Sequence, residues 1–117
     1  MVFTAYEILN RIRPGAIWKA ENMYDYETII WIDENQIKPT RDEYNSMSNQ
    51  LEIERKWDCI RERRDTELNK TDKYIVADYP HPTPEARQAW LDYRQALRDL
   101  PANTEDPANP VWPVPPE

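Results

Sequence analysis

The chain has 117 residues, 15 Lys+Arg against 22 Asp+Glu, a formal net charge of −7, one His, one Cys, one Gly and 11 Pro. This length fits one domain, and the acidic balance argues against nucleic acid as a partner, because phosphate binding needs a cationic surface. A single Cys excludes an internal disulfide and a Cys-based zinc site, a single His removes most His-dependent catalysis, a single Gly removes phosphate-cradling loops, and no apolar run approaches the roughly 20 residues that span a bilayer.

The opening segment reads as a short helix. Thr4 and Glu7 form a Thr-x-x-Glu capping box, Ala5, Ile8, Leu9 and Ile12 share one face, and Pro14-Gly15 stops it. Residues 16–33 read as a β-hairpin, with Trp18 and Ala20 on one face of the first strand. In the second strand Ile30 and Ile32 share one face and Ile29 and Trp31 the other. A strand apolar on both faces is usually covered on both sides, so the hairpin is expected to pack on the helices, on another copy or on a partner. The intervening loop has no Gly, which disfavours a tight two-residue turn.

Thr40 and Glu43 form a second capping box, and from Arg41 to about Asn69 there is neither Pro nor Gly, so this stretch reads as one long helix. Its apolar stripes are short and shifted against each other: Tyr44, Met47 and Leu51, then Ile53, Trp57 and Ile60. That pattern favours a helix packing on different neighbours along its length over a coiled coil. Residues 70–83 are expected to be extended, with strand-like Tyr74–Tyr79. Thr83 caps the next helix, Pro84 sits at its first position, and Ala86, Trp90, Tyr93, Leu97 and Leu100 give the cleanest amphipathic spacing in the chain. Pro101 is expected to end it. Residues 101–117 hold six Pro and no Gly and should favour polyproline II, with Val111, Trp112 and Val114 set among the prolines. The divisions are 1–38, a helix plus hairpin; 39–101, a helical hairpin; and 102–117, a Pro-rich tail. The fold class is α+β.

No residue set carries catalysis. Paired acids such as Asp33-Glu34, Asp42-Glu43 and Glu105-Asp106 lack a second group that would make them acid–base partners, and no cofactor or metal site is expected. His81, between two prolines, reads as an exposed loop residue. Cys59 reads as a small buried or half-buried residue, and with its free thiol the chain reads as soluble and made in a reducing compartment. Arg55, Lys56, Arg61, Arg63 and Arg64 are interleaved with acids, and four-residue spacings such as Arg61–Asp65 and Arg63–Glu67 suggest a solvated, ion-paired helix face.

Arg64-Asp65, Leu68, Thr71-Asp72, Trp90 and the run Tyr93-Arg94-Gln95-Ala96-Leu97-Arg98-Asp99-Leu100-Pro101, closed by Trp112-Pro113, resemble the phage tail assembly chaperone family over roughly residues 55–117. That family often has a Trp directly after Thr-Asp; here Lys73-Tyr74 follows, so the resemblance hands that ring's packing role to Tyr74. The first half, through Arg13-Pro14-Gly15-Ala16, Trp18, Trp31, Asp33 and Lys38-Pro39-Thr40, resembles the leading segment of similar proteins in cyanophages and marine phages. The resemblance implies a protein that binds a tail-fibre or baseplate component during assembly in the host cytoplasm. The alternative is a minor component retained in the virion tail, at the baseplate, hub or fibre base. Trp112, Pro113, Val111, Trp31 and Ile29 are the candidate partner contacts, and self-association through the hairpin is a further possibility. Arg64, Asp65, Thr71, Asp72, Trp90, Tyr93, Arg94, Leu97, Arg98 and Asp99 are the expected structural motif, with Thr71-Asp72 and Arg64-Asp65 fixing the connection between the two long helices by capping and charge-assisted hydrogen bonds.

Overall fold

A computed structural model describes residues 3–117. The chain forms two compact units, Met1–Glu54 and Arg55–Glu117. The architecture is α+β, 57% helical and 5% strand.

In the first unit, α1 (Ala5–Ile12) starts at the expected capping box. The Glu7 N–H donates to the Thr4 hydroxyl at 3.2 Å, and the Glu7 carboxylate accepts from the Thr4 N–H at 3.4 Å. Its buried face is Ala5, Ile8 and Leu9. The chain then turns at Gly15, whose φ of +75° is the left-handed conformation that a Cβ disfavours. β1 (Trp18–Ala20) pairs antiparallel with β2 (Ile29–Trp31), with Trp18 opposite Trp31 and Ala20 opposite Ile29. No two-residue turn joins them. A 3-10 turn at Tyr26–Thr28 closes the loop, capped by the Asp25 side chain, and the Thr28 hydroxyl donates to the Asn22 carbonyl at 2.8 Å.

Ile29 enters a core with Phe3, Ala5, Ile8, Leu9 and Tyr44, and Trp18, Ala20 and Trp31 pack against it. The opposite face of the hairpin is not covered: Ile30 is 55% and Ile32 47% exposed. Within this chain the hairpin is therefore covered on one face only. The helices of this unit reach only the Ile29–Trp31 side, and the strands are three residues long.

α2 (Arg41–Thr71) is 31 residues and roughly 45 Å long. The Thr40–Glu43 box opens it, with the Glu43 N–H donating to the Thr40 hydroxyl at 3.1 Å. Arg13 ties the end of α1 to this start by donating to the Ile37 carbonyl and to the Glu43 carboxylate, both at 2.9 Å. Tyr44 is buried in the first unit and Ile60 in the second, so the two shifted stripes serve different cores.

In the second unit the connection after α2 departs from a strand-like run. α2 continues to Thr71 and a 3-10 turn occupies Asp72–Ile75. β-branched and aromatic residues favour strands only where a neighbouring strand or a packed face receives them. Here Tyr74 is received by a Trp ring instead, at 4.0 Å and 14°. α3 (Pro84–Asn103) is capped by Thr83, whose hydroxyl accepts from the Ala86 N–H at 3.1 Å. Tyr93, Arg94, Leu97 and Leu100 are its buried residues. Pro101 does not end α3: it lies inside it, and the helix runs on to Asn103. Proline inside a helix loses its N–H bond and crowds the carbonyl four residues back; here the last turn is closed by Thr104, whose N–H donates to the Pro101 carbonyl and whose hydroxyl donates to the Leu100 carbonyl at 2.7 Å.

Candidate functional site

The joint of the second unit is built on Arg94. Its guanidinium is buried and donates to the Leu68 carbonyl and to the Thr71 hydroxyl at the end of α2, the latter at 2.8 Å, and to the Asp72 carboxylate at 2.7 Å. The planar guanidinium spreads its donors over two Nη atoms and so reaches three separated acceptors, where an ammonium offers its three N–H groups from a single point. Thr71 does not cap by side chain; its hydroxyl donates back to the Glu67 carbonyl at 2.8 Å and accepts from Arg94. Arg64 and Asp65 pair with each other at 3.0 Å on the surface of α2 and do not reach the connection.

Around the joint the rings form one cluster. Tyr74 stacks on Trp90, Tyr79 meets Tyr74 edge-on at 5.0 Å, and Trp90 meets Tyr93 edge-on at 5.9 Å. His81 is half-buried, not an exposed loop residue: its ring lies 4.6 Å from Tyr79, and Nε2 is hydrogen-bonded to the Tyr74 carbonyl. Arg87 donates to the Ile75 and Val76 carbonyls at 2.9 and 3.1 Å, which holds the 3-10 turn against α3. Burial pushes the Tyr93 phenol up from its usual range, and the Glu67 charge adds to the effect.

The C-terminal tail is turned by Asp106. Its carboxylate accepts from the Ala108 N–H at 3.0 Å and from the Asn109 side chain at 2.8 Å, and these bonds hold it below the usual carboxylate range. Asp-Pro-Ala-Asn is the sequence pattern of such a turn, with Pro at the second position and a hydrogen-bonding Asp at the first. That signal was available in the sequence and outweighs the reading of an uninterrupted stiff tail. Beyond the turn Trp112 comes to lie 4.0 Å from the Arg63 guanidinium in a cation–π contact.

Arg63 is therefore engaged with Trp112 rather than with the ion-pair lattice the sequence suggested. Ion pairs elsewhere on α2 include Arg61–Asp58 and Lys70–Glu67, both at 3.6 Å. Between the tail and α3 lies an open groove of about 450 Å³, whose lining includes Ala96, Leu100, Asp92 and Asp99 of α3 and Trp112 and Pro113 of the tail.

Of the other candidate contacts, Ile29 is core, and Trp31 is half-buried and donates its ring N–H to the Gln36 carbonyl at 2.8 Å. Leu97 is buried beside the joint, Arg98 donates to the Gln95 side chain at 2.9 Å, and Asp99 accepts from it at 3.0 Å. Cys59 is exposed, against the expectation of a buried residue, because its position on α2 faces away from the cores. Among the described residues no group of three or more His, Cys, Asp or Glu could hold a metal ion, and no helix is long and apolar enough to cross a membrane.

The profile of the phage tail assembly chaperone protein family matches residues 57–117. The chain belongs to that family. Its role is in phage tail assembly. The match begins at Trp57 and covers the end of α2, the Arg94 joint, the ring cluster, α3 and the whole tail, which is nearly the extent of the second unit. In this chaperone-family segment Tyr74 holds the ring position after Thr71-Asp72 and stacks on Trp90. Searches of curated proteins and of solved structures returned no match.

Proposed function

We propose that this chain is a non-enzymatic assembly protein that holds a tail-fibre or baseplate component through its C-terminal tail, with Val111, Trp112 and Pro113 at the contact. The observation that carries this reading is the exposure of the tail's apolar side chains: Val111 and Val114 are each 85% exposed while Trp112 is pinned on Arg63. Their three-residue spacing equals one turn of a polyproline II helix, so they form a single stripe, and Pro110, Pro113 and Pro116 lie half-buried on another. A stiff, preordered segment loses little conformational entropy on docking. The work takes place in the host cytoplasm during assembly, and the leading segment points to a phage of the cyanophage or marine type.

Co-expression with the phage's tail-fibre and baseplate proteins tests the contact. Removing residues 102–117, or Trp112→Ala, should abolish the co-purifying complex while circular dichroism keeps its helical signal. A complex that survives both changes would sink the proposal. Mass spectrometry of purified virions reads how long the protein stays. Its depletion from virions is expected of an assembly factor, and stoichiometric presence would make it a retained tail component.

A further inference from the structure

We infer that the groove between α3 and the tail takes an extended segment of the bound component that carries two basic side chains three residues apart with an apolar residue between them. The inference rests on the reading of the tail as the contact and adds the chemistry of what lies against it.

The groove is walled by two kinds of surface. Ala96 and Leu100 from α3 and Trp112 and Pro113 from the tail are apolar. Asp92 and Asp99 of α3 are acidic, line the same groove and are both exposed. Positions 92, 96 and 99 fall on one face of a helix, so the two carboxylates flank Ala96.

The carboxylates are positioned but not neutralised. Gln88 donates to Asp92 at 2.8 Å and Gln95 donates to Asp99 at 3.0 Å, each from four residues earlier on α3. Neither carboxylate has a cationic partner among the described residues. The neighbouring cations are otherwise engaged: Arg98 on Gln95, Arg94 on Asp72, and Arg63 on the Trp112 ring. A neutral amide fixes a carboxylate's rotamer and leaves lone pairs for a charged donor, which is the arrangement that rewards an incoming Arg or Lys.

Spacing then sets the ligand. Seven residues of helix put Asp92 and Asp99 about 10 Å apart along α3. An extended or polyproline chain covers about the same distance in three residues. A basic-x-x-basic segment laid along α3 therefore meets both carboxylates, and an apolar side chain at one of the two middle positions reaches the Ala96–Leu100 floor beside Trp112. The net charge of −7 favours a basic partner at long range as well.

Fluorescence anisotropy with the full chain and a labelled Arg-Pro-Leu-Arg peptide tests this, with Glu-Pro-Leu-Glu as the comparison. The basic peptide should bind, and the acidic one should not. Asp92→Asn and Asp99→Asn should each weaken binding by about threefold to tenfold, with a loss that shrinks at high salt. Equal binding of both peptides, or affinity indifferent to both substitutions, would overturn the inference. The same variants separate it from the broader reading in the co-expression complex. If the complex needs Trp112 but tolerates Asp92→Asn with Asp99→Asn, the tail contact stands and the basic-segment groove falls. If it needs neither, both fall.

Discussion

Arg94 Nη2 donates to the Asp72 carboxylate at 2.7 Å, and this pair locks α3 to the first residue beyond α2. The two ends differ in their surroundings: the Arg side chain is 8% exposed and the Asp 61%. The guanidinium's other fork arm holds the Leu68 carbonyl and the Thr71 hydroxyl.

Arg94→Lys should therefore destabilise the protein by about 1–3 kcal/mol, since an ammonium holds its three donors on one atom, does not span the positions of both guanidinium arms, and leaves a buried acceptor unpaired. Asp72→Asn should cost less, because its carboxylate is largely in water. Urea unfolding followed by circular dichroism checks both. Equal losses for the two variants would mean that the buried acceptors are not what matters.

Leu97 and Ile8 lie in the cores of different units, each 1% exposed. Truncating either to Ala should cost about 2–5 kcal/mol, the range for a buried aliphatic that leaves a cavity. Val111→Ala and Val114→Ala, at exposed positions, should leave thermal stability within about 0.5 kcal/mol. Calorimetry on the four variants distinguishes core from surface.

Glu54 carries the clearest acid-range signal. Hydrogen bonds from Arg11 at 2.7 and 2.9 Å, then one from Gln50, hold its carboxyl at about 2 against an ordinary 4.5. The folded-state value lies below the unfolded one, so the pair's contribution is fully present above about 4.5 and is lost as pH falls toward about 2. Carboxyl NMR titration should give Glu54 a midpoint near 2, and Arg11→Met should return it toward 4.5. A wild-type midpoint already at 4.5 would refute the assignment.

The Trp112–Arg63 contact is the tail's tether. A cation–π pair at an exposed site contributes about 0.5–1 kcal/mol. Arg63→Ala and Trp112→Ala should both sharpen the NMR signals of Val111, Val114 and Glu117 as the tail gains mobility, with global stability nearly unchanged. Signals that keep their linewidths in both variants would place the tether elsewhere.

At Gly15, a Cβ would meet nothing within 4 Å, so only the backbone conformation penalises a side chain there. Gly15→Ala should cost about 1–2 kcal/mol, and Gly15→Asn less, because Asn tolerates the left-handed region better. Thermal melts rank the pair.

Much of this architecture was legible because it is local. The capping boxes at Thr4 and Thr40, Pro84 at the first turn of α3, and the Tyr93–Leu97–Leu100 spacing act within a few residues, and α1, α2 and α3 start where those signals lie. What escaped is what depends on distant partners. Tyr74–Tyr79 has strand-like residues, but the stacking of Tyr74 on Trp90 decides its conformation, and sixteen residues separate them. Arg94 read as one residue of the family run; its burial follows from its bonds to the Leu68 carbonyl and the Thr71 hydroxyl at the end of α2, which no local pattern shows. Arg63 and Trp112 are further apart still, and charge patterning within α2 pointed Arg63 toward Glu67 instead. Ile30 and Ile32 show the reverse limit: alternation fixes which residues share a face but not which face is covered.

The reach of the Arg94 joint also bears on how fast the second unit assembles. Its ties join residues 22 to 26 positions apart, Asp72, Thr71 and Leu68 to Arg94, and the helices they connect are stabilised within themselves. Loop closure over so short a span is entropically cheap, and topologies dominated by near-neighbour contacts fold in microseconds to milliseconds. Translation adds residues about a thousandfold more slowly, at roughly 5–20 per second. The helical hairpin can thus be complete almost as soon as it clears the ribosome.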